Sequence, residues 1–367
     1  MLCVLAAPRL IPYLLTSAGV AAFRSEPSVS PSILQLDNQG GLHMTRSIEA
    51  YRDAAKRGIE WLVSQQNPDG SLITDDVQAD VYHKAPYAMG ITGHAAEAER
   101  LMSWVKANDL GPDGRLKHFD AGLALYKTNW ACQSAHRLAR FDISVPVFGY
   151  ILRCQAPCGG FYQVEEGNPF VEAVCTSWAG VTAIYHGRTD VAERAALCLI
   201  SMIEQQPDVD RFYYTMTPDG WLATEESPID GAAPHVDATQ TQQAYYCPGI
   251  ASLFLARLHL ATGNPVYQVA AMRLFEISLG FAEDRYSYPT AGKSAVGAAT
   301  LYRLTGDERA RDAAREFGDF LVEAQDDEGW WANPYDQGMI TRLDHTAEFI
   351  VFISEIAALL HGAEGQA

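Results

Sequence analysis

Along residues 56–72 apolar positions alternate with polar ones at helical spacing: Ile59, Leu62 and Val63 recur three and four apart among Lys56, Glu60 and Ser64. Such spacing gathers them on one face of a helix. The segment then reads Gln65-Gln66-Asn67-Pro68-Asp69-Gly70-Ser71-Leu72. Proline cannot continue the helix, and glycine supplies the backbone angles of a tight turn. The pattern returns. Phe148–Gln155 leads to Gly159-Gly160-Phe161, and Phe317–Gln325 leads to Glu328-Gly329-Trp330. Leu199–Gln205 leads, after an insertion, to Pro218-Asp219-Gly220-Trp221, and a weaker copy, Leu101–Lys106, to Pro112-Asp113-Gly114-Arg115-Leu116. Self-similarity of this kind marks a stacked or closed repeat architecture.

The copies predict six helical hairpins, each an outer helix followed by an inner one. They fall at 46–66 with a helix from near Asp80, 94–108 with 121–139, and 144–155 with 169–186. The remainder are 188–205 with 239–261, 264–282 with 289–305, and 307–325 with 341–361. Inner helices are to stop at Thr92-Gly93, His186-Gly187, Thr262-Gly263, Thr305-Gly306 and His361-Gly362, glycine being the expected C-terminal stop. Asp190, Asn264-Pro265 and Asp307 then offer caps for the next outer helix. The inner segments, such as Gly249–Leu255, are apolar all round, whereas Asp307–Asp312 is richly charged. A helix apolar all round is buried, and a striped one lies at the surface. The expectation is an all-α (α/α)6 barrel over 44–367, with an open helical solenoid as the competing arrangement and residues 1–43 as a leader.

Composition narrows the partners. The 367 residues are 48% hydrophobic and 20% charged, as in a globular chain rather than a disordered one. A net charge of −18 argues against nucleic acid and anionic membranes, both of which reward clustered Lys and Arg. The seven cysteines are odd in number and sit mostly in apolar helical stretches, which fits reduced thiols better than a disulfide framework. Residues 1–23 are apolar but interrupted by Arg9 and Pro12, so they make a poor secretory signal and no membrane span. A cytoplasmic protein with a small-molecule substrate and no cofactor is expected, with export as the weaker alternative and a homo-oligomer allowed.

The helix–Gln–turn–Gly–aromatic unit resembles the QW repeats of squalene–hopene and oxidosqualene cyclases, whose α/α-toroid fold is shared with the β subunits of protein prenyltransferases. The match runs from Lys56 through Gly70, with Leu72 where a tryptophan is expected. The catalytic signatures do not follow the repeats. No Asp-x-Asp-Asp motif occurs, and the cluster Asp75-Asp76-Val77-Gln78-Ala79-Asp80 misses the Asp-Asp-x-x-Asp spacing by one residue. Likeness to the prenyltransferases would imply zinc near Glu172, Cys175, Cys247, Asp344 and His345, but the spacings differ, and no metal is expected. Asn168–Cys175 also looks like the cysteine-bearing inner helix of the metal-free linalool dehydratase/isomerase type.

In a barrel of this kind the mouth is lined by the starts of the inner helices. Asp80, His83, Lys84 and Tyr87 fall there at helical spacing, and so do Asp344, His345 and Glu348. Carboxylate–histidine pairs suit proton transfer, and Glu172 with Cys175, one helical turn apart, is a further candidate pair of a carboxylate and a thiol. Helix capping is the plainer reading of His83 and Asp80 and of one of the two acids Asp344 and Glu348, and inert packing that of Cys175. The candidate catalytic set is therefore His83, Asp344, His345, Glu172, Cys175 and Asp80. Lys84, Tyr87, Trp130, Trp178, Tyr245, Tyr246 and Tyr288 are the candidate substrate contacts. A lyase or isomerase/cyclase acting on a hydrophobic, isoprenoid-like substrate is expected, its charged intermediate shielded by aromatic faces. A carbohydrate lyase, hydrolase or epimerase and a non-catalytic ligand-binding toroid are the alternatives.

Overall fold

The structure is a computed structural model that describes residues 46–74, 79–118, 123–165, 170–208, 210–225, 233–332 and 336–364. The expected leader, 1–43, lies outside the described residues, and the described residues from Arg46 to Glu364 belong to one compact unit. Helix α1 (Ile48–Ser64) is followed by α2 (Ala79–Tyr82) and α3 (Ala85–Ile91), and α4 (Ala95–Asn108) by α5 (Ala124–Arg137). Next come α6 (Phe141–Arg153) with α7 (Ala173–Tyr185), and α8 (Thr189–Glu204) with α9 (Tyr246–Thr262). The last pairs are α10 (Pro265–Leu279) with α11 (Gly292–Thr305), and α12 (Glu308–Ala324) with α13 (Met339–Glu364).

The inner helices touch in sequence, α3 to α5, α7, α9, α11 and α13, and α13 returns to α3. That return contact closes the ring, so the fold is the all-α (α/α)6 barrel and not an open solenoid. Burial follows the expected division. Every residue of α7 from Ala173 to Ala183 is buried, whereas α12 buries the stripe Ala310, Ala313, Ala314, Phe317, Gly318 and Leu321. Among the described residues no helix is long and apolar enough to cross a membrane.

The repeat turn has a physical logic. The Gln66 amide donates to the Gly70 carbonyl (3.2 Å) and to the Glu97 carbonyl of the next outer helix, α4 (2.9 Å). Gln155 does the same for Gly159 (2.9 Å) and Val191 of α8 (3.3 Å), and Gln325 for Gly329 (2.8 Å) and Ala54 of α1 (2.9 Å). Each glutamine thus closes its own turn while tying it to the following hairpin. The turn glycine must be glycine: a Cβ on Gly159, at φ +94°, would sit 2.3 Å from the Arg194 carbonyl oxygen. In two copies the apolar residue of the unit is not the one next to this glycine. Trp221 is 70% exposed, and Trp330 lies under the Arg342 guanidinium, 4.2 Å from its ring centre. The buried position is the second after glycine, as at Leu72, Leu116, Phe161 and Trp331.

Other expectations need correction. Helix α9 begins at Tyr246 rather than 239. The insertion before it holds three short strands, of which β2 (Arg211–Tyr213) pairs antiparallel with β4 (His235–Asp237), and β3 (Thr215–Met216) with β1 (Val171–Glu172), which precedes α7. The chain then turns through Gln242 at φ 59° before the helix starts. Gly263 and Gly306, each at φ 72°, end their helices as expected, but Gly362 lies within α13. Asn264 and Asp307 cap α10 and α12, whereas Asp190 lies inside the first turn of α8 and pairs with Arg188.

Candidate active site

The first inner helix is broken where the chemistry sits. Pro86 has no N–H for the Tyr82 carbonyl, and its ring would crowd that carbonyl, which works against a continuous helix through 80–87. Instead α2 stops at Tyr82 and α3 restarts with Pro86 in its first turn. His83 and Lys84 occupy the break, 1% and 5% exposed. The expectation of one continuous helical face is therefore replaced by a kink that aims these two side chains at α13.

There Lys84 Nζ lies 2.9 Å from the Asp344 carboxylate and 3.0 Å from Glu348 Oε2. The other Glu348 oxygen takes Lys293 Nζ at 2.6 Å and a hydrogen bond from the Tyr126 hydroxyl at 2.9 Å. Behind this group, His83 Nε2 is 3.7 Å from Asp344 Oδ1 and its Nδ1 3.9 Å from Asp80, which is itself paired with Lys127 at 2.8 Å. Above it opens a cavity of about 210 Å³. Lys84, Tyr126, Lys293, His345 and Glu348 give it polar lining; Leu123, Val174, Pro289 and Phe349 give it apolar wall. Each inner helix contributes to it at its N-terminal end.

Burial and mutual charge set the protonation states. Burial works against the Glu348 charge, but Lys293 and Lys84 outweigh it and hold the carboxyl well below the usual range. Burial likewise opposes the Lys84 charge, and Asp344 with Glu348 overcomes it, so that amine stays protonated. Lys293 has one carboxylate where Lys84 has two; burial dominates and lowers it. Asp344 is pushed up to about 6 by burial, with Glu348 and Asp80 adding to the rise against Lys84. His345 is brought down to about 4 by burial, with Lys84 and Lys293 adding to the fall. It is a neutral imidazole at pH 7, and its Nδ1 is buried with no hydrogen-bond partner.

Of the sequence candidates, His83, Lys84, Asp80, Asp344 and His345 are brought together, and Tyr246 joins them at the cavity wall. The others are placed elsewhere. Glu172 caps α7, its carboxylate accepting from the Val174 and Cys175 amides, and the Cys175 thiol beside it is pushed up by burial. Trp130 and Trp178 pack with tilted rings, centres 4.8 Å apart, in the core behind Tyr126, and Tyr87 packs edge-on against Trp130 at 5.2 Å. The Tyr87 hydroxyl is bonded to Arg137 (3.2 Å), at the C-terminal end of α5 and far from the helix starts. Tyr245 donates to Asp284 and packs on Phe281 and Tyr288 outside the cavity lining.

Two groups, Tyr126 and Lys293, escape the sequence reading as site members, and Glu348 stands in it beside Asp344 and His345 without an assigned role. Lys293 was missed, although it is the only charged residue between 289 and 302, at the start of an inner helix. Among the described residues Asp80, His83 and Asp344 could converge on a cation, their ligand atoms lying within 4.8 Å of one another. Lys127 and Lys84 already neutralise the two carboxylates and would have to give way. Glu172, Cys175 and Cys247 do not form such a group with Asp344 and His345.

No protein-family model and no curated protein matches the chain. Solved structures do. A D-mannose isomerase is similar at 10% identity and TM-score 0.65, covering 84% of this chain and 97% of that one. The α-1,6-mannanase of glycoside hydrolase family 76 from Salegentibacter sp. HEL1_6 reaches 13% identity and TM-score 0.60 over 84% and 99%. A type II terpene cyclase from Scytonema reaches 11% and TM-score 0.55 over 85% and 98%. Identities so low carry the architecture and nothing finer. What the chain shares with all three is the α/α-toroid fold.

Proposed function

We propose that the cavity is an acid–base site for a small, hydroxyl-rich carbonyl compound of monosaccharide size, and that the chain is an isomerase or epimerase moving a proton beside the carbonyl. One observation carries this reading: a neutral histidine, His345, lines the same hollow as two buried ammonium groups and a buried carboxylate. A base of that kind can take a proton from carbon, while fixed positive charge stabilises the enediolate that forms. Lys293, the less firmly protonated amine, suits the return of a proton to oxygen. D-mannose isomerase, among the structural neighbours, is named for a reaction of this class.

An isoprenoid substrate fits less well. Buried ammonium groups oppose a cationic intermediate, and Trp130 and Trp178, which were to shield it, are core packing. Incubation with aldoses and ketoses in deuterated water, followed by proton NMR, tests the proposal. Deuterium entering the position beside the carbonyl is expected for at least one sugar. No exchange with any sugar, together with turnover or thermal stabilisation by terpenoid alcohols, would reverse it. Stabilisation by a sugar without any exchange would leave a binding toroid.

A further inference from the structure

Cys158 sits in the repeat turn that follows α6, and Cys198 on α8 behind it. Their sulfurs are 3.8 Å apart. Cys158 is half-buried, while Cys198 is buried. The arrangement is held from several directions. The Cys158 amide donates to the Pro218 carbonyl at 3.0 Å, and Met216 Sδ backs Cys198 at 3.8 Å. Gly160 leaves the space that Cys198 occupies, since a Cβ there would come within 2.8 Å of its sulfur. The pair is unlike the other described thiols. Cys132, Cys154, Cys175 and Cys247 are all buried, and burial is the largest cause raising each of them.

We propose that Cys158 and Cys198 form a peroxide-oxidisable pair, in which Cys158 reacts first and Cys198 resolves it to an intramolecular disulfide. The Cys158 thiolate attacks one oxygen of hydrogen peroxide. The O–O bond breaks, hydroxide leaves and takes a proton to become water, and sulfur is oxidised to the sulfenic acid. The Cys198 sulfur then attacks that sulfur, the S–S bond forms, and the S–O bond breaks with loss of a second water. Two thiols and one peroxide thus give one disulfide and two waters. The sulfurs would close from 3.8 Å to about 2.05 Å in the disulfide. The Cys198 S–H bond favours the Cys158 thiolate and lowers it to about 7, against burial and the nearby Asp219 charge. Such a thiolate is populated at neutral pH. The bond would staple the turn to α8, behind the β1 strand that leads into the cavity wall at Val174.

The full-length chain treated with a small excess of hydrogen peroxide, alkylated in denaturant and mapped by peptide mass spectrometry tests this. One dithiothreitol-sensitive link between the Cys158 and Cys198 peptides is expected, with Cys198→Ser stopping at a dimedone adduct on Cys158. Unmodified thiols, a link between other cysteines, or sulfinic acid at Cys158 without a link would each overturn the proposal. A second measurement is independent of the variant's folding yield. The rate of iodoacetamide modification of wild-type Cys158 against pH should show a midpoint near 7, and a midpoint at the ordinary thiol value of about 8.5 would remove the basis for first attack.

Discussion

Lys293 Nζ lies 2.6 Å from Glu348 Oε1, and both side chains are buried. The opposite oxygen of that carboxylate is held by Lys84 at 3.0 Å. One anion therefore binds the start of α11 and the break before α3 to α13. Replacing it as Glu348→Gln leaves Lys84 with Asp344 alone and Lys293 with no carboxylate. A buried charge stripped of its partner typically costs about 3–5 kcal/mol. Urea denaturation should show a loss of that order for Glu348→Gln and a smaller one for Lys293→Met, because Glu348 then keeps Lys84. The double variant should fall short of the sum, since both changes act on one pair.

Neighbouring residues on α13 should titrate with opposite effects on stability. The folded value for His345 is about 4, below the ordinary 6.5, so between these the unfolded chain binds more protons. Its contribution grows as pH rises through that window and is lost as pH falls through it. Asp344 is raised from 3.8 to about 6, so in that range the folded chain binds more protons, and its contribution is lost as pH rises. The slope of stability against pH between about 4 and 6 should accordingly flatten in His345→Asn and steepen in Asp344→Asn. Equal slopes in the two variants would show that neither group is perturbed as described.

Catalysis should fail separately from folding at His345. The His345→Asn variant is expected to lose about 10²–10⁴-fold in proton exchange, the usual contribution of a positioned base, while its melting temperature at neutral pH stays near that of the parent. Because the imidazole is brought down to about 4, the acid limb of the wild-type rate should fall near that pH and not near 6.5. A limb at the ordinary histidine value would place the working base elsewhere, His83 being the next to substitute.

The ring was legible because its determinants are local. Glutamine, turn and glycine lie within five residues of one another in the copies at 66–70, 155–159 and 325–329, and apolar periodicity separates inner helices from outer. The wrong aromatic was singled out at Trp221 and Trp330 because adjacency to glycine in sequence says nothing of which side the turn's strand-like exit faces. His83, Lys84, Asp344 and His345 were legible as polar groups at inner-helix starts. The pairing itself was not: Lys84 and Glu348 are 264 residues apart, and no local rule relates them. Glu172 and Cys175 had the right residue types at the right place, yet the extended β1 backbone turns that carboxylate back onto its own helix as a cap.

The seam between the last hairpin and the first rests on Gln325. Its amide donates to the Gly329 carbonyl of its own turn and to Ala54 in α1, and its oxygen accepts from Arg57 of the same helix. Gln66 and Gln155 make equivalent ties, but between hairpins that are consecutive in the chain, where a short connection already limits separation. At the seam the covalent path runs through the whole ring, so side-chain bonds and packing alone oppose its opening. Gln325→Ala leaves two part-buried carbonyls without their donor, at a cost of about 1–3 kcal/mol. A matching Gln66→Ala substitution should cost a similar amount globally. The two should differ in where they loosen the fold: amide hydrogen exchange in α1 and α12 should rise in Gln325→Ala at conditions where α8 is unchanged. Uniform exchange throughout the ring in that variant would show that the closure is held by the inner helices, with the repeat turns serving only their own hairpins.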